Sequence, residues 1–470
     1  MVKKEGNAFP VKIGLEVHGY LDTKEKLFCK CKTDFLNKDI LPNTLICPIC
    51  TGTPGSKPML PNEEAVKKLV QIALVLSCKI NFEKAWVWQR KHYNWADLPK
   101  GFQNTISGAH AILPATDGEF KGIRITECHL EEDPAQWNPK DGKINYNRSG
   151  LPLIEIVTEP DFNSSEQVSN WLKSLILSLS YIKAFRKNGG IKVDVNVSTY
   201  GERVEMKNLN SIEKIKEAID YEIAKQVENY KKGIKQERET LAYDEKLGKT
   251  IKMRSKEGQA DYRFIPDPDL PVIKIDEKFV LDIKKNLPET PEQKLDKLIK
   301  KYKIDKANAE ILSKNLDLVF FVEELSDEKI DVAKNISWIT IELLRVLNYN
   351  KKLLEDEDVD IQPKHFAELI NFVEDKKITP LKAKQIINDF VPKSFSIKQK
   401  GDIGNINEDA IRNLCEQVIE KNQHVVEQYK SGNENSLNFL MGQVMKLSER
   451  RAGPEDVRAK LQELIKGDES

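Results

Sequence analysis

Several common features of membrane and secreted proteins are missing from this sequence. No stretch reaches the roughly 18 apolar residues that a membrane-spanning helix needs, and the first residues lack the apolar core of a secretory signal. Neither charge is in excess, since Lys+Arg and Asp+Glu number 74 each. A balanced charge does not exclude nucleic acid, because basic residues can still be concentrated on one face. We therefore expect a cytoplasmic protein with no membrane partner.

Motifs of the common nucleotide and hydrolase sites are missing too. The sequence contains no G-x-x-x-x-G-K-[ST] loop and no G-x-G-x-x-G turn after a strand. It also has no G-x-S-x-G nucleophile elbow and no cysteine–histidine signature of a nucleophile. If the chain uses ATP, it does so through a site of another kind.

The first part of the chain, residues 1–290, has the pattern of a mixed domain. A length of 470 residues is too great for one core, so two or three domains are expected. Strand-like alternation at residues 11–18, 153–157 and 191–197 is separated by amphipathic helical segments such as 63–76. This order predicts an α+β domain on a largely antiparallel sheet.

From residue 291 the apolar positions follow a helical period. We expect an all-helical domain over residues 291–400, followed by a small helical tail domain over residues 401–470. The tail is predicted to hold three short helices, which begin near Glu408, Leu437 and Pro454.

Four of the seven cysteines form a cluster near the start of the chain. Cys29, Cys31, Cys47 and Cys50 follow a C-x-C…C-x-x-C spacing. Four soft thiolates at one point are typical of tetrahedral Zn²⁺, and a closed site of this kind is structural. The alternative is a group of four core cysteines without metal.

Acidic residues form a second candidate group. Glu16 and His18 are two apart on a predicted strand and project to one side. Residues 129–133 supply further carboxylates, and Glu155 lies inside an apolar strand, where a charge needs a partner. Converging carboxylates and an imidazole would suit Mg²⁺ and nucleotide phosphates.

An alternative partner for Glu155 is an arginine such as Arg148 or Arg124, in a structural ion pair. A further segment, residues 90–101, interleaves basic and aromatic side chains. Such a loop can hold phosphate or stack on a base, or it can be a solvated loop with its aromatic rings tucked beneath it.

Together these motifs resemble the B-type subunits of the tRNA-dependent amidotransferases. The match runs from about residue 11 to residues 439–445 near the C-terminus. It is carried by the cysteine cluster and by the motifs at residues 13–18, 90–93, 97–101, 129–133, 147–161, 205–211 and 261–263.

The resemblance implies a reaction and its partners. In this family a tRNA mischarged with Asp or Glu enters a cradle domain, here residues 1–290, where ATP phosphorylates the side-chain carboxylate. Ammonia from the glutaminase subunit then displaces phosphate, which gives Asn-tRNA(Asn) or Gln-tRNA(Gln). A third, small subunit makes the complex a heterotrimer, and the helical domain and the YqeY-like tail hold the tRNA.

The resemblance also implies roles for individual residues. Glu16, His18, Glu132 and Glu155 fall on the family's Mg²⁺ positions, and Lys91 and Tyr93 match residues near the ammonia channel and the acceptor end. The four cysteines match a structural zinc site. The implied cofactors are thus ATP, Mg²⁺ and Zn²⁺.

Two alternatives and one departure from the family pattern remain. The related E-type subunits, which act on Glu-tRNA(Gln), carry an inserted domain, and a zinc-containing tRNA-binding scaffold would need no buried carboxylate. Many relatives have Ala-Gly-Lys where this chain has Pro134-Ala135-Gln136, so a phosphate-binding lysine is not expected there.

Overall fold

The computed structural model describes residues 10–186, 189–244, 247–252, 263–399 and 403–467. Asp261 and Tyr262, from the last family motif before the helical region, lie outside these residues. The chain divides into two compact units, Met1–Thr290 and Pro291–Ser470, and each is described by itself.

The first unit is built on β-structure. Its strands are β1 (Lys12–Tyr20), β2 (Lys79–Ile80), β3 (Gln89–His92), β4 (Gln103–Thr105), β5 (Ala115–Phe120), β6 (Ile123–Glu132), β7 (Gln136–Trp137), β8 (Ile144–Asn145), β9 (Pro152–Thr158), β10 (Ile191–Ser198), β11 (Val204–Leu209), β12 (Glu239–Asp244), β13 (Lys249–Lys252) and β14 (Arg263–Pro266).

Twelve of these strands form one sheet in the order β13-β12-β11-β10-β1-β9-β6-β4-β3-β14, with β5 paired to β6 and β2 to β5. All pairs are antiparallel except β11 with β12. β7 and β8 form a separate ribbon. The predicted α+β class with a largely antiparallel sheet is confirmed.

One face of the sheet is covered by helices. These are α1 (Glu63–Val75), α2 (Ser165–Tyr181), α3 (Ile212–Lys231) and α4 (Glu277–Lys285). The odd-numbered residues of β1 from Ile13 to Val17 pack with apolar residues of these helices in the core of the unit. Because side chains alternate along a strand, the even-numbered Glu16 and His18 project to the other face.

All four helices begin where a polar side chain caps them. Asn62, Ser164, Ser211 and Asp276 accept hydrogen bonds from backbone amides in the first turns of α1, α2, α3 and α4. Such caps satisfy amides that have no partner inside the helix.

The second unit is helical. Its helices are α5 (Pro291–Lys300), α6 (Lys306–Leu312), α7 (Leu316–Asp327), a π-helical turn (Trp338–Leu343), α8 (Leu344–Tyr349), α9 (Pro363–Glu374), α10 (Pro380–Asn388), a 3₁₀ turn (Ile397–Gln399), α11 (Glu408–Lys421), α12 (Gln423–Lys430), α13 (Glu434–Leu447) and α14 (Pro454–Gly467).

Two apolar clusters lie in this unit, one between Leu298 and Ile397 and one between Ile411 and Ile465. The separation into domains 291–400 and 401–470 stays a prediction. The expectation of three tail helices is wrong, because the described part of the tail has four. A break at Asn422, whose side chain donates to the Val418 carbonyl oxygen, separates α11 from α12. Within the described ranges, no helix combines the length and apolarity that crossing a bilayer requires.

Candidate functional site

A row of three polar residues crosses the middle of the face of the sheet that lies opposite the helices. In the register of β1, β9 and β6, His18 lies opposite Glu155 and Glu155 lies opposite His129. The Oε2 atom of Glu155 is 3.5 Å from His18 Nε2 and 3.2 Å from His129 Nε2. The strand pairing therefore places one carboxylate between two imidazoles.

Glu131 completes this group because it lies two residues beyond His129 on β6 and shares its face. Its Oε1 atom is 3.5 Å from His129 Nε2. One ligand atom each from His18, Glu131 and Glu155 lie within 4.8 Å of one another. We call these three residues the carboxylate–histidine group.

Burial and charge act against each other in this group. Burial by itself would raise the pKa of Glu155, but His129 and His18 hold that pKa well below its usual range. Burial would lower the pKa of His18, but the Glu155 carboxylate raises it to about 9. Without another cation, the imidazoles thus carry the positive charge that balances the carboxylates.

Glu131 also anchors the predicted residues Lys91 and Tyr93. Lys91 Nζ lies 3.9 Å from Glu131 Oε1. The Tyr93 hydroxyl donates to Gln103 Oε1 at 3.3 Å, and Gln103 Nε2 donates to Glu131 Oε2 at 2.9 Å. Thr105 Oγ1 donates to the other carboxylate oxygen at 3.2 Å. The structure therefore joins Lys91 and Tyr93 to the carboxylate–histidine group through Glu131.

A second acidic group lies next to the first along β1. Ligand oxygens of Glu16, Asp194 and Glu205 lie within 4.8 Å of one another, and Glu16 is directly opposite Asp194 in the β1–β10 register. Burial raises the pKa of Glu16, and the carboxylates around it, chiefly Glu155 and Glu205, add to this effect. Three carboxylates at one point favour a positive charge among them.

Lys207 supplies part of that charge. Its Nζ atom is 2.7 Å from Glu205 Oε1 and 3.1 Å from Asp194 Oδ2. Asn196 Nδ2 donates to Glu16 Oε1 at 3.2 Å. One ammonium cannot neutralise three carboxylates, so the remaining negative charge favours a further cation beside Lys207.

Glu132, which was expected to share a cation with Glu16, His18 and Glu155, lies in neither group. As the neighbour of Glu131 it projects to the opposite face of β6. There its Oε2 atom accepts a hydrogen bond from Lys100 Nζ at 2.5 Å. The geometry favours Glu131 over Glu132 as the third member of the carboxylate–histidine group.

The expected arginine partners of Glu155 bind elsewhere. Arg148 Nε lies 3.2 Å from Asp133 Oδ2, and its guanidinium donates to the carbonyl oxygens of Pro134 and Ala135. Arg124 forms its ion pair with Asp161. The alternative of an arginine ion pair for Glu155 is therefore wrong, because histidines occupy that role.

The four cysteines converge as their spacing predicts. The Sγ atoms of four cysteines all lie within 4.8 Å of one another, namely those of Cys29, Cys31, Cys47 and Cys50. Gly52, which follows the second pair, has φ +67°, and a Cβ atom there would lie 2.4 Å from the Pro99 carbonyl oxygen. Only glycine lets the cysteine loop approach the 97–101 loop so closely.

The sulfur atoms have the chemistry of a soft-metal site. A hydrogen bond from the Cys29 thiol lowers the pKa of Cys50 to about 5, against the effect of burial, and Lys26 acts in the same direction. Burial and the nearby Cys50 raise the pKa of Cys31 to about 12. Four such sulfurs, with no carboxylate in the group, fit Zn²⁺ better than a hard cation.

The basic and aromatic segment 90–101 is held by ion pairs at Arg90 and by a ring contact at Trp95. The Arg90 guanidinium donates to Asp267 and Asp269 at 2.6–3.2 Å. Trp95 packs edge-on against Trp137 with ring centres 5.7 Å apart. Arg90 is therefore neutralised by carboxylates in this structure, whereas Lys91 faces the carboxylate–histidine group.

Sequence reasoning did not single out Glu131 or His129 within the candidate segment 129–133, and it did not assign Asp194 or Glu205 to a site. The pattern that could have found the first three is strand alternation. His129 and Glu131 are two apart on β6, and Asp194 is one of the polar residues that alternate with valines on β10. Glu205 is brought next to Glu16 and Asp194 only by the pairing of β10 with β11.

Comparison with known proteins places the chain in a family. The model of the GatB/GatE catalytic domain matches residues 11–281, which is more than half of the chain, and the GatB domain model matches residues 320–465. The chain belongs to the GatB/GatE family. The resemblance seen in the sequence is thereby confirmed.

Curated relatives agree over almost their whole length. The chain is 41% identical to a protein of Methanocaldococcus jannaschii over 473 residues, which covers 97% of this chain and 98% of the relative. It is 41% identical to a Methanopyrus kandleri protein, with 97% and 99% covered. A Methanothermobacter thermautotrophicus protein is also 41% identical, with 95% and 98% covered.

All three relatives are named as the B subunit of an aspartyl/glutamyl-tRNA(Asn/Gln) amidotransferase. The predicted enzyme class, a ligase of the amidotransferase type, is confirmed by this match. The two alternatives are disfavoured: these relatives are named for the B-type and not the E-type protein, and the family model describes a catalytic domain and not a scaffold.

Proposed function

We propose that this GatB/GatE-family chain carries the kinase and amide-transfer steps of an Asp/Glu-tRNA(Asn/Gln) amidotransferase. The observation that carries the proposal is the carboxylate–histidine group, which lies beside Glu16, Asp194 and Glu205 on one face of the sheet. The substrates are Asp-tRNA(Asn), Glu-tRNA(Gln) or both.

The reaction needs an activated carboxylate. A free carboxylate is a poor acyl donor, because its oxygen is a poor leaving group. Transfer of the terminal phosphoryl group of ATP to the Asp or Glu side chain gives an acyl phosphate and ADP. Ammonia then attacks the carbonyl carbon, phosphate leaves with the bonding electrons, and the nitrogen loses a proton to give the amide. Phosphoryl transfer depends mainly on positioning and on neutralisation of charge.

His18, Glu131 and Glu155 are the residues that would hold Mg²⁺. Two carboxylates and an imidazole suit a hard divalent ion whose other ligands are water and phosphate oxygens. Bound Mg²⁺ would neutralise charge that develops on the phosphoryl oxygens. Glu16, Asp194 and Glu205 would hold a second cation nearby, with Lys207 as a fixed charge. Glu132 would act on the other face, as the partner of Lys100.

Second-sphere contacts would keep these ligands in place. His129 holds Glu155 and Glu131, while Gln103 and Thr105 bind both oxygens of Glu131. Such contacts fix the direction in which ligand oxygens point. Lys91 and Tyr93, which reach Glu131 directly and through Gln103, would lie where the acceptor end of the tRNA meets ammonia.

Cys29, Cys31, Cys47 and Cys50 would hold a structural Zn²⁺. Residues 1–290 would form the cradle, and residues 291–400 and 401–470 would be the helical and tail domains that hold the tRNA. The partners would be a glutaminase subunit, which supplies ammonia, and a small subunit in a heterotrimer. We place this assembly in the cytoplasm, where aminoacyl-tRNA is made and used.

The experiment is amidation by the reconstituted complex. The chain is co-purified with its glutaminase and small-subunit partners, then supplied with ATP, Mg²⁺ and either Asp-tRNA(Asn) or Glu-tRNA(Gln). We expect ATP-dependent formation of Asn-tRNA or Gln-tRNA with glutamine or with free ammonia. Failure to amidate either tRNA with free ammonia, in a complex that binds both, would refute the proposal.

A further inference from the structure

Lys26 is an unusual lysine in this molecule. Three lysines are buried among the described residues, namely Lys26, Lys68 and Lys294. Lys68 lies 3.6 Å from a Glu64 carboxylate oxygen and Lys294 lies 2.9 Å from Glu323. Lys26, which is 1% exposed, has no carboxylate oxygen within 4.0 Å in the described part of the chain. A buried ammonium without a counter-charge is costly.

The contacts of the Lys26 ammonium lead to the cysteine group. Its Nζ atom donates to Cys50 Sγ at 3.5 Å and to the Tyr146 carbonyl oxygen at 3.3 Å. Its backbone amide donates to the Cys31 carbonyl oxygen at 3.0 Å. Both ends of the residue are therefore tied to the loops that carry the four sulfurs.

The backbone beside Lys26 has a conformation that favours glycine. Gly150 has φ +82°, and a Cβ atom there would lie 3.5 Å from Lys26 Cδ and 3.4 Å from Cys50 Cβ. The Gly150 carbonyl oxygen accepts a hydrogen bond from the amide of Leu27 at 2.8 Å. The stem of Lys26 is thus held beside Cys50 by a segment in which glycine supplies the required backbone conformation.

The counter-charge follows from the chemistry of the cysteine group. A zinc ion with four thiolates carries two net negative charges, and buried negative charge of this kind needs donors around the sulfurs. An ammonium 3.5 Å from one sulfur supplies both a donor and a compensating charge.

We propose that Lys26 is a positioning residue of the four-cysteine metal site, which donates to Cys50 Sγ and offsets one of the two negative charges. This inference rests on the proposed zinc site and is independent of the amidation reaction. Loss of a partner of this kind typically weakens metal binding by roughly 10- to 100-fold.

The test uses the full chain with Lys26→Met, which removes the charge and keeps the length of the side chain. Lys30→Met is the matched control, because Lys30 lies in the same segment, pairs with Glu25 at 2.7 Å and is exposed. Zinc content, the rate of zinc loss to a chelator, and the sulfur-to-metal charge-transfer band of the Co²⁺-substituted protein are measured.

We expect Lys26→Met to lose zinc roughly 10- to 100-fold faster than the wild type and Lys30→Met to lose it at the wild-type rate. The Co²⁺ band should move to lower energy, because sulfur electrons are held less tightly without the ammonium. Unchanged loss rates and an unchanged band would overturn the role of Lys26. Absence of zinc from the wild type would overturn the metal site itself, whatever the amidation activity.

A thermodynamic comparison separates this role from simple packing. The drop in melting temperature caused by Lys26→Met should be larger in the zinc-loaded chain than in the zinc-free chain, since zinc with four thiolates carries the net negative charge that Lys26 offsets. Equal drops in the two forms would overturn the proposal. If Lys26→Met does not fold, Lys26→Arg is used instead, because it keeps the charge. A rate of zinc loss within about threefold of the wild-type rate supports the proposal. A rate roughly 10- to 100-fold faster than the wild-type rate overturns it.

Discussion

The two kinds of candidate metal site in the first unit differ in their ligands and in their balance of charge. The cysteine group draws four ligands of one soft type from a single stretch, residues 29–50. The carboxylate–histidine group draws hard ligands of two types from β1, β6 and β9, and two imidazoles lie beside its central carboxylate. A closed set of thiolates holds an ion permanently, whereas a mixed group with open positions can exchange protons, cations and phosphate.

Two adjacent residues of β6, Glu131 and Glu132, lie beside these two different groups. Glu131 faces the carboxylate–histidine group, while Glu132 faces Lys100 and lies near the cysteine loop. A Cβ atom on Gly150 would be 3.6 Å from Glu132 Oε1 and 3.4 Å from Cys50 Cβ. One strand therefore lies between the cysteine loop on one face and the carboxylate–histidine group on the other.

The largest expected effect comes from removing a cysteine ligand. Cys50→Ser should reduce the zinc content from about one ion per chain to none and unfold the surrounding loops, because structural zinc contributes on the order of 10 kcal/mol. Cys78→Ala, at a lone buried cysteine, is the control and should retain zinc. Elemental analysis of protein purified without chelators measures both, and a wild type without zinc would contradict the assignment.

The second largest effect is the loss of amidation caused by Glu155→Gln in the carboxylate–histidine group. This change removes the central carboxylate and should lower ammonia-dependent amidation by about 1,000-fold, or about 4 kcal/mol of transition-state stabilisation. Binding of tRNA should persist, because the fold and the helical unit are untouched. Normal amidation by the variant with free ammonia would show that this group is not the catalytic cation site.

A smaller effect on amidation is expected from Glu131→Gln, and it distinguishes Glu131 from its neighbour Glu132 on β6. Glu131→Gln should lower amidation by about 100-fold, or about 2.7 kcal/mol, because one cation ligand loses its charge. Glu132→Gln should instead lower the free energy of unfolding by about 1 kcal/mol, since its partly buried pairing with Lys100 is weakened. Amidation rates and denaturant unfolding of both variants are compared, and the reverse ranking in activity would restore Glu132 as the ligand.

The smallest effect concerns the second acidic group. Lys207→Met should tighten Mn²⁺ binding about tenfold, or about 1.4 kcal/mol, because the ammonium no longer competes with the cation. Lys214→Met, at an exposed pair with Glu217, is the control and should leave Mn²⁺ affinity unchanged. Calorimetric titration measures the affinity. Unchanged or weaker Mn²⁺ binding by Lys207→Met would mean that Glu16, Asp194 and Glu205 form only an ion-pair network with Lys207.

Much of the fold could be predicted from local patterns. The strand expected at residues 11–18 is β1, and the helix expected at residues 63–76 is α1, because the period of apolar residues reports directly on the buried face. The cysteine group was predictable for a similar reason, since its ligands are close in the chain. The break at Asn422 was not, because continuous helical periodicity runs across it.

The carboxylate–histidine group was only partly predictable. Alternation alone places Glu16 with His18, and His129 with Glu131, but it does not say which strands are neighbours. The order β1-β9-β6 brings the members together, and this order is set by packing between distant parts of the chain. The family motif includes both Glu131 and Glu132, so the choice between them depends on a register that only the structure supplies.

The most direct test of the central claim is to locate the cation itself. Crystals of the chain soaked in Mn²⁺ are measured at the manganese absorption edge, where anomalous scattering marks the ion. We predict a peak at a coordination distance of about 2.1 Å from His18 Nε2 and from carboxylate oxygens of Glu131 and Glu155. A peak bound to Glu132, or no peak at the carboxylate–histidine group under saturating Mn²⁺, would contradict the account.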